Sequence, residues 1–186
     1  VVIQEVVGKE YGDKFYPSIS GVARSVNFYP TGQEKPNDGI ANIAFGLGKT
    51  VIDGGVSLRF CPAYPKNILQ LSNPDIALRS TQKEFMALDM NPNSFYPSID
   101  ENVNLIKVNL DDAIDNGSLK HVVSTFNFED QVIRDGFYHE GKKIVTFANV
   151  LQYNIFPLAE ILNTLLDIGQ REMNNHVEIE FAVNMD

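Results

Sequence analysis

An α+β fold, mainly antiparallel sheet with one strong helix near the C-terminus, is predicted from three features of the sequence. Strand-type stretches rich in β-branched residues recur from Val1-Val2-Ile3 to Val177-Glu178-Ile179. One segment, from about Pro157 to Met173, carries a helical apolar stripe. Between them, Pro62, Pro65, Pro74, Pro92 and Pro97 break residues 61–104 into a long excursion of short elements with little period.

Taken in order, Val1 to Val7 is a β-branched run ending at Gly8, and residues 15–30 hold strand-like pieces broken by Pro17, Gly21 and Pro30. A polar turn at Thr31 to Gly39 leads into Ile40 to Phe45 and then Gly46-Leu47-Gly48-Lys49-Thr50. Leu105 to Leu110 reads as a strand, and Phe137 to Phe147 as a hairpin turning at His139-Glu140-Gly141-Lys142. Pro157 suits the first turn of the helix, whose stripe is Leu158, Ile161, Leu162, Leu165 and Leu166. From His176 onward, Val177, Ile179, Phe181 and Val183 alternate with Glu178, Glu180, Ala182 and Asn184, which is strand period. The chain opens on Val1 inside one strand and closes at Asp186 where a hairpin turn would start. It therefore reads as one truncated domain, residues 1–186, cut from a longer protein.

Composition narrows the function classes. Hydrophobic residues at 44% and charged residues at 21% are globular values, and 186 residues suffice for a core without disulfides. A lone cysteine, Cys61, excludes a disulfide framework and a cysteine zinc site, and three dispersed histidines exclude a histidine cluster. The formal net charge of -9 is a poor match to nucleic acid. No apolar run approaches the ~18 residues of a membrane span and no signal peptide opens the chain, so the expected setting is cytoplasmic.

Four constellations bear on chemistry. Gly46-Leu47-Gly48-Lys49-Thr50 falls short of a Walker loop because Ile43 stands where the first glycine belongs. It fits either a glycine turn whose amides approach phosphate or a tight turn between buried elements. Glu178 and Glu180, at strand spacing, point to one face roughly 6.5–7 Å apart. Their repulsion is about 0.6 kcal/mol in water and about 2.5 kcal/mol at an effective dielectric of 20. On a solvated face the pair needs no explanation, whereas in a cleft it calls for a cation, and oxygen ligands suit Mg²⁺ against phosphates. Gln4-Glu5-Val6-Val7 offers backbone groups and apolar side chains to a flat heterocycle, or is a plain strand end. Ser20-Gly21-Val22 is a small-residue turn near a ligand or a bend in a strand. Cys61, His121 and His139 lack the partners that catalysis would need.

In their order along the chain, Val1-Val2-Ile3-Gln4-Glu5-Val6-Val7, Ser20-Gly21-Val22, Gly46-Leu47-Gly48 with Val51 and Gly54, and Val177-Glu178-Ile179-Glu180-Phe181-Ala182 resemble the nucleotide-binding domain of the phosphoenolpyruvate synthase and pyruvate phosphate dikinase family. The resemblance implies the C-terminal part of an ATP-grasp fold. It implies ATP as substrate, with backbone groups of Gln4 to Val7 at the adenine, Ser20, Gly21, Gly46 and Gly48 around the nucleotide, and Mg²⁺ on Glu178 and Glu180. Four positions depart from the family pattern: Lys49 replaces a glutamate, Arg24-Ser25 replaces Phe-Thr, and Glu178 replaces an aspartate. The family's upstream phosphate-binding Lys and Arg, its downstream Gln-x-Arg strand, its phosphohistidine and its pyruvate site lie outside these residues.

The activity implied is transfer of the β-phosphate of ATP to a histidine and on to pyruvate, giving AMP, phosphate and phosphoenolpyruvate, with pyruvate and phosphoenolpyruvate handled by other domains. Within the same superfamily the acceptor could be a glucan or an antibiotic. From another class, the chain could be a non-catalytic binding or interaction domain that keeps the fold, a reading to which Lys49 and Arg24 lend support.

Overall fold

Short strands dominate the computed structural model, which describes residues 3–94, 96–100 and 102–185. Strand β1 (Lys9–Tyr11) turns through Gly12 and Asp13 into β2 (Lys14–Tyr16), with Gly12 at φ 66°, a value that favours glycine. Strands β3 (Ile19–Arg24) and β4 (Ile40–Ala44) follow, then the Gly46-Leu47-Gly48 turn, helix α1 (Lys49–Ile52) and β5 (Leu58–Phe60). Helix α2 (Pro74–Ser80) begins where Asn73 caps it, its side-chain oxygen accepting from the Ile76 N–H at 2.9 Å, with Pro74 in the first turn. Then come β6 (Glu84–Asp89), β7 (Leu105–Asn109), β8 (Val123–Asn127), β9 (Val132–Asp135), β10 (Lys142–Val145) and α3 (Ala148–Leu151). Helix α4 (Leu158–Met173) and β11 (Glu178–Val183) close the described chain. Asn174, in the left-handed region at φ 47°, ends α4.

The strands form three antiparallel sheets, ordered β1-β2-β6-β7, β10-β8-β9 and β11-β3-β4-β5. One apolar core joins them, with Tyr16, Phe45 and Phe85 stacked edge to face at its centre. The α+β class, the mainly antiparallel sheets and the C-terminal helix are thus as the sequence predicts. Among the described residues no helix is long and apolar enough to cross a membrane.

Other expectations need correction. Val1 and Val2 lie outside the described residues, and residues 3–7 are exposed and irregular rather than a strand. A β-branched run gains strand structure only where a neighbouring strand accepts its hydrogen bonds and its side chains find a surface, and here pairing starts at Lys9. Gly21 does not turn the chain, because it sits inside β3, where a Cβ would come within 2.7 Å of the Phe181 ring and 2.5 Å of the Asn42 carbonyl. The segment 137–147 supplies only one strand, β10, and it pairs with β8 instead of folding back on Phe137. Lys143 holds the intervening loop closed, donating to the carbonyls of His139 at 3.1 Å and Gly141 at 2.9 Å. Of the helix stripe, Leu158, Leu162 and Leu166 are buried in the core, whereas Ile161 and Leu165 are 37% and 42% exposed. The core takes a narrower arc of α4 than the apolar stripe offers.

Candidate functional site

Alternation along β11 and its register on β3 organise the site. Glu178 lies opposite Arg24, Glu180 opposite Val22 and Ala182 opposite Ser20, and on β4 Asn42 lies opposite Val22. One face of this sheet therefore presents Ser20, Val22, Arg24, Asn42, Glu178 and Glu180. Gly21, Ile43, Ile179 and Phe181 take the other face, toward the core that α4 closes.

The glycine turn is seated on the polar face by named bonds. The Ser20 hydroxyl, almost completely buried, donates to the Gly46 carbonyl at 2.7 Å. The Leu47 N–H donates to the Met86 carbonyl at 2.8 Å, which ties the turn to β6. Gly46 stands at φ 87°, and a Cβ there would meet the Met86 carbonyl at 2.8 Å, so both conformation and space require glycine. Gly48 differs, since a Cβ would meet Ser20 at an ordinary 3.7 Å. No contact among the described residues requires glycine at 48. A residue that the sequence does not flag completes the seat. Gln82 accepts from the Phe45 N–H at 2.9 Å and donates to the carbonyls of Phe45 at 2.7 Å and Glu84 at 2.9 Å. A single glutamine in an irregular stretch carries no periodic signal, and its partner is 37 residues away.

The two glutamates have different surroundings. The Glu178 carboxylate accepts a hydrogen bond from the Arg24 guanidinium, so the cation that a close acidic pair calls for is supplied in part by the chain itself. Glu180 is exposed and has no ion-pair partner among the described residues. Also among the described residues, no group of three or more His, Cys, Asp or Glu gathers to hold a metal. Mg²⁺ commonly uses one or two carboxylates with substrate phosphates and water. That donor chemistry fits Glu180 as it stands, and fits Glu178 only if Arg24 gives it up.

Gln4, Glu5, Val6 and Val7 are exposed and lead to Gly8, whose carbonyl accepts from the Asn184 amide at 2.9 Å. Along β11 the order is therefore Glu178 with Arg24, then Glu180, then Ala182 beside Ser20 and the glycine turn, then Asn184 at the end of the Gln4–Val7 segment. From Glu180 to Asn184 the strand rises about 13 Å. The structure brings Ser20, Gly46 and Gly48 into one seat and lines up Glu180 and the exposed segment on either side. Gly21 belongs to the opposite face.

Elsewhere the ionisable groups serve the framework. Burial raises the pKa of Glu34, but hydrogen bonds from the Thr31 N–H, the Asn27 amide and Arg59 outweigh it and hold the carboxyl below the ordinary glutamate value. Burial pushes the Cys61 thiol up, which disfavours a reactive thiolate. Burial likewise lowers the Lys143 ammonium, which lies 5.0 Å from the centre of the Phe137 ring. Compared with known proteins, the chain matches no family model, no curated protein and no solved structure.

Proposed function

We propose that this chain is the ATP-binding portion of a phosphotransferase resembling phosphoenolpyruvate synthase, with an ATP-grasp-like architecture. One observation carries the reading: Glu180, the Ser20–Gly46–Gly48 seat and Gly8, which follows the exposed Gln4–Val7 segment, are met in that order along β11 and on to Asn184 just after it. That order suits an elongated nucleotide with its base at one end and its phosphates at the other. Backbone groups of Glu5 and Val7 would meet the adenine, and the space over Gly48 would admit the phosphate chain close to the main chain. Glu180, joined by Glu178 when Arg24 releases it, would hold Mg²⁺, which supplies neutralisation of phosphate charge during transfer. Histidine phosphorylation and the passage of the phosphoryl group to pyruvate would fall to segments outside these residues.

A second reading, an ATP-grasp-like binding domain without transfer chemistry, is favoured by one contact. Arg24 occupies the Glu178 carboxylate, and a fixed guanidinium there competes with Mg²⁺. The two readings separate on the acceptor side, so exchange of label between ATP and AMP by the intact protein favours the first and its absence the second.

The binding claim shared by both is tested by backbone amide NMR of the chain with millimolar Mg-ATP. Shifts are expected at Glu5 to Val7, Ser20, Gly46 to Gly48 and Glu180, and Glu180→Gln should abolish the magnesium-dependent part. Shifts confined to other surfaces would overturn the proposal.

A further inference from the structure

A cavity of about 650 Å³ opens between α1, the C-terminal end of α2 and one face of β6 and β7. The volume is that of a small-molecule site. Lys49, Arg79, Lys83 and Lys107 line it together with Asp53 and Glu84, which leaves an excess of positive charge on a chain whose formal net charge is -9. It shares none of Ser20, Gly46, Gly48, Glu178 or Glu180 with the face described above.

The cations are not equivalent. Lys107 pairs with Glu84 at 2.6 Å, across the strand pair that sets Met86 opposite Lys107, and Lys49 lies 3.5 Å from Asp53 on α1. Arg79 and Lys83 have no ion-pair partner among the described residues. They are held close in sequence by the end of α2 and by Thr81, which is buried and bonded through its hydroxyl to the Ala77 carbonyl at 2.7 Å. Thr50 also lines the cavity, with its hydroxyl oxygen turned away into the protein and without a hydrogen-bond partner among the described residues.

We propose that this cavity binds a small phosphorylated anion, with its phosphate between Arg79 and Lys83. A planar guanidinium offers paired donors to phosphate oxygens and an ammonium offers three more, and the two together match a charge of about -2. The remaining surface of an acidic chain repels a nucleic-acid backbone, and the volume of the cavity suits a small ligand. Lys107 and Lys49 also line the cavity, each already paired with a carboxylate. The proposal is independent of the nucleotide reading and survives its failure.

The test is calorimetric titration of metal-free inorganic pyrophosphate into the chain at constant ionic strength. Saturable binding is expected, weakened at least tenfold in Arg79→Gln/Lys83→Gln, which corresponds to a loss of about 1.4 kcal/mol or more. Both residues are exposed, so the unfolding midpoint of the double variant should match the parent. The proposal is overturned by absence of saturable binding at millimolar pyrophosphate or by equal affinity in the double variant.

Discussion

The two faces of the sheet formed by β11, β3, β4 and β5 are built from the same strands yet obey different rules. On the inner face every residue is accounted for by packing. Gly21 is small because the Phe181 ring lies across it, and Ile43, Leu158, Leu162 and Leu166 fill one core. On the outer face packing explains Val22 but not Glu180, Arg24 or the glycine at 48. On this sheet, the residues that packing does not explain lie on one side. That asymmetry, rather than any single motif, marks the candidate site.

The inner face should respond to substitution far more than the outer. Leu162→Ala removes a side chain that is 1% exposed, and the cavity should cost about 2–5 kcal/mol in denaturant unfolding. A loss under half of the lower figure would show that α4 does not close this face. Gly46→Ala comes next. Strain at positive φ and the clash with the Met86 carbonyl should together cost about 1–3 kcal/mol, read as a lowered melting midpoint.

Glu34→Gln tests the framework by pH. The folded pKa lies below the ordinary value of 4.5, so the charged carboxylate adds stability that is complete above that value and is lost as pH falls through the depressed one. The variant should be about 1.5–3 kcal/mol less stable than the parent at neutral pH, with the gap closing in acid. A gap that stays constant down to full protonation would show that the buried charge contributes nothing. Ser20→Ala, which removes one neutral hydrogen bond to the glycine turn, should cost about 0.5–1.5 kcal/mol.

The smallest effect on stability is the most informative for function. Gly48→Ala has room for its methyl group and helical dihedrals, so the unfolding midpoint should hold or rise slightly. Its Mg-ATP shifts in NMR should nonetheless weaken, because the methyl group occupies the space that a phosphate would approach. Unchanged shifts would return Gly48 to the class of ordinary turn residues.

Much of this was legible in the residues alone. The period of Leu158, Leu162 and Leu166 dictates a helix, and the alternation of Val177 to Val183 dictates a strand with both glutamates on one side, because each pattern is local and repeats within the reach of a single element. Pro157 and Gly46 likewise announce a helix start and a turn from their own backbone limits. Other features depended on residues far apart in the chain. Which strand Phe181 crosses, that Gln82 clasps Phe45, that Arg24 meets Glu178 across 154 positions, and that Arg79 and Lys83 share a cavity with Lys107 are all consequences of register and packing. Local pattern sets which face a side chain takes. Only the folded chain decides what stands opposite it, because hydrogen-bond partners and charges are selected by three-dimensional distance and leave no period along the sequence.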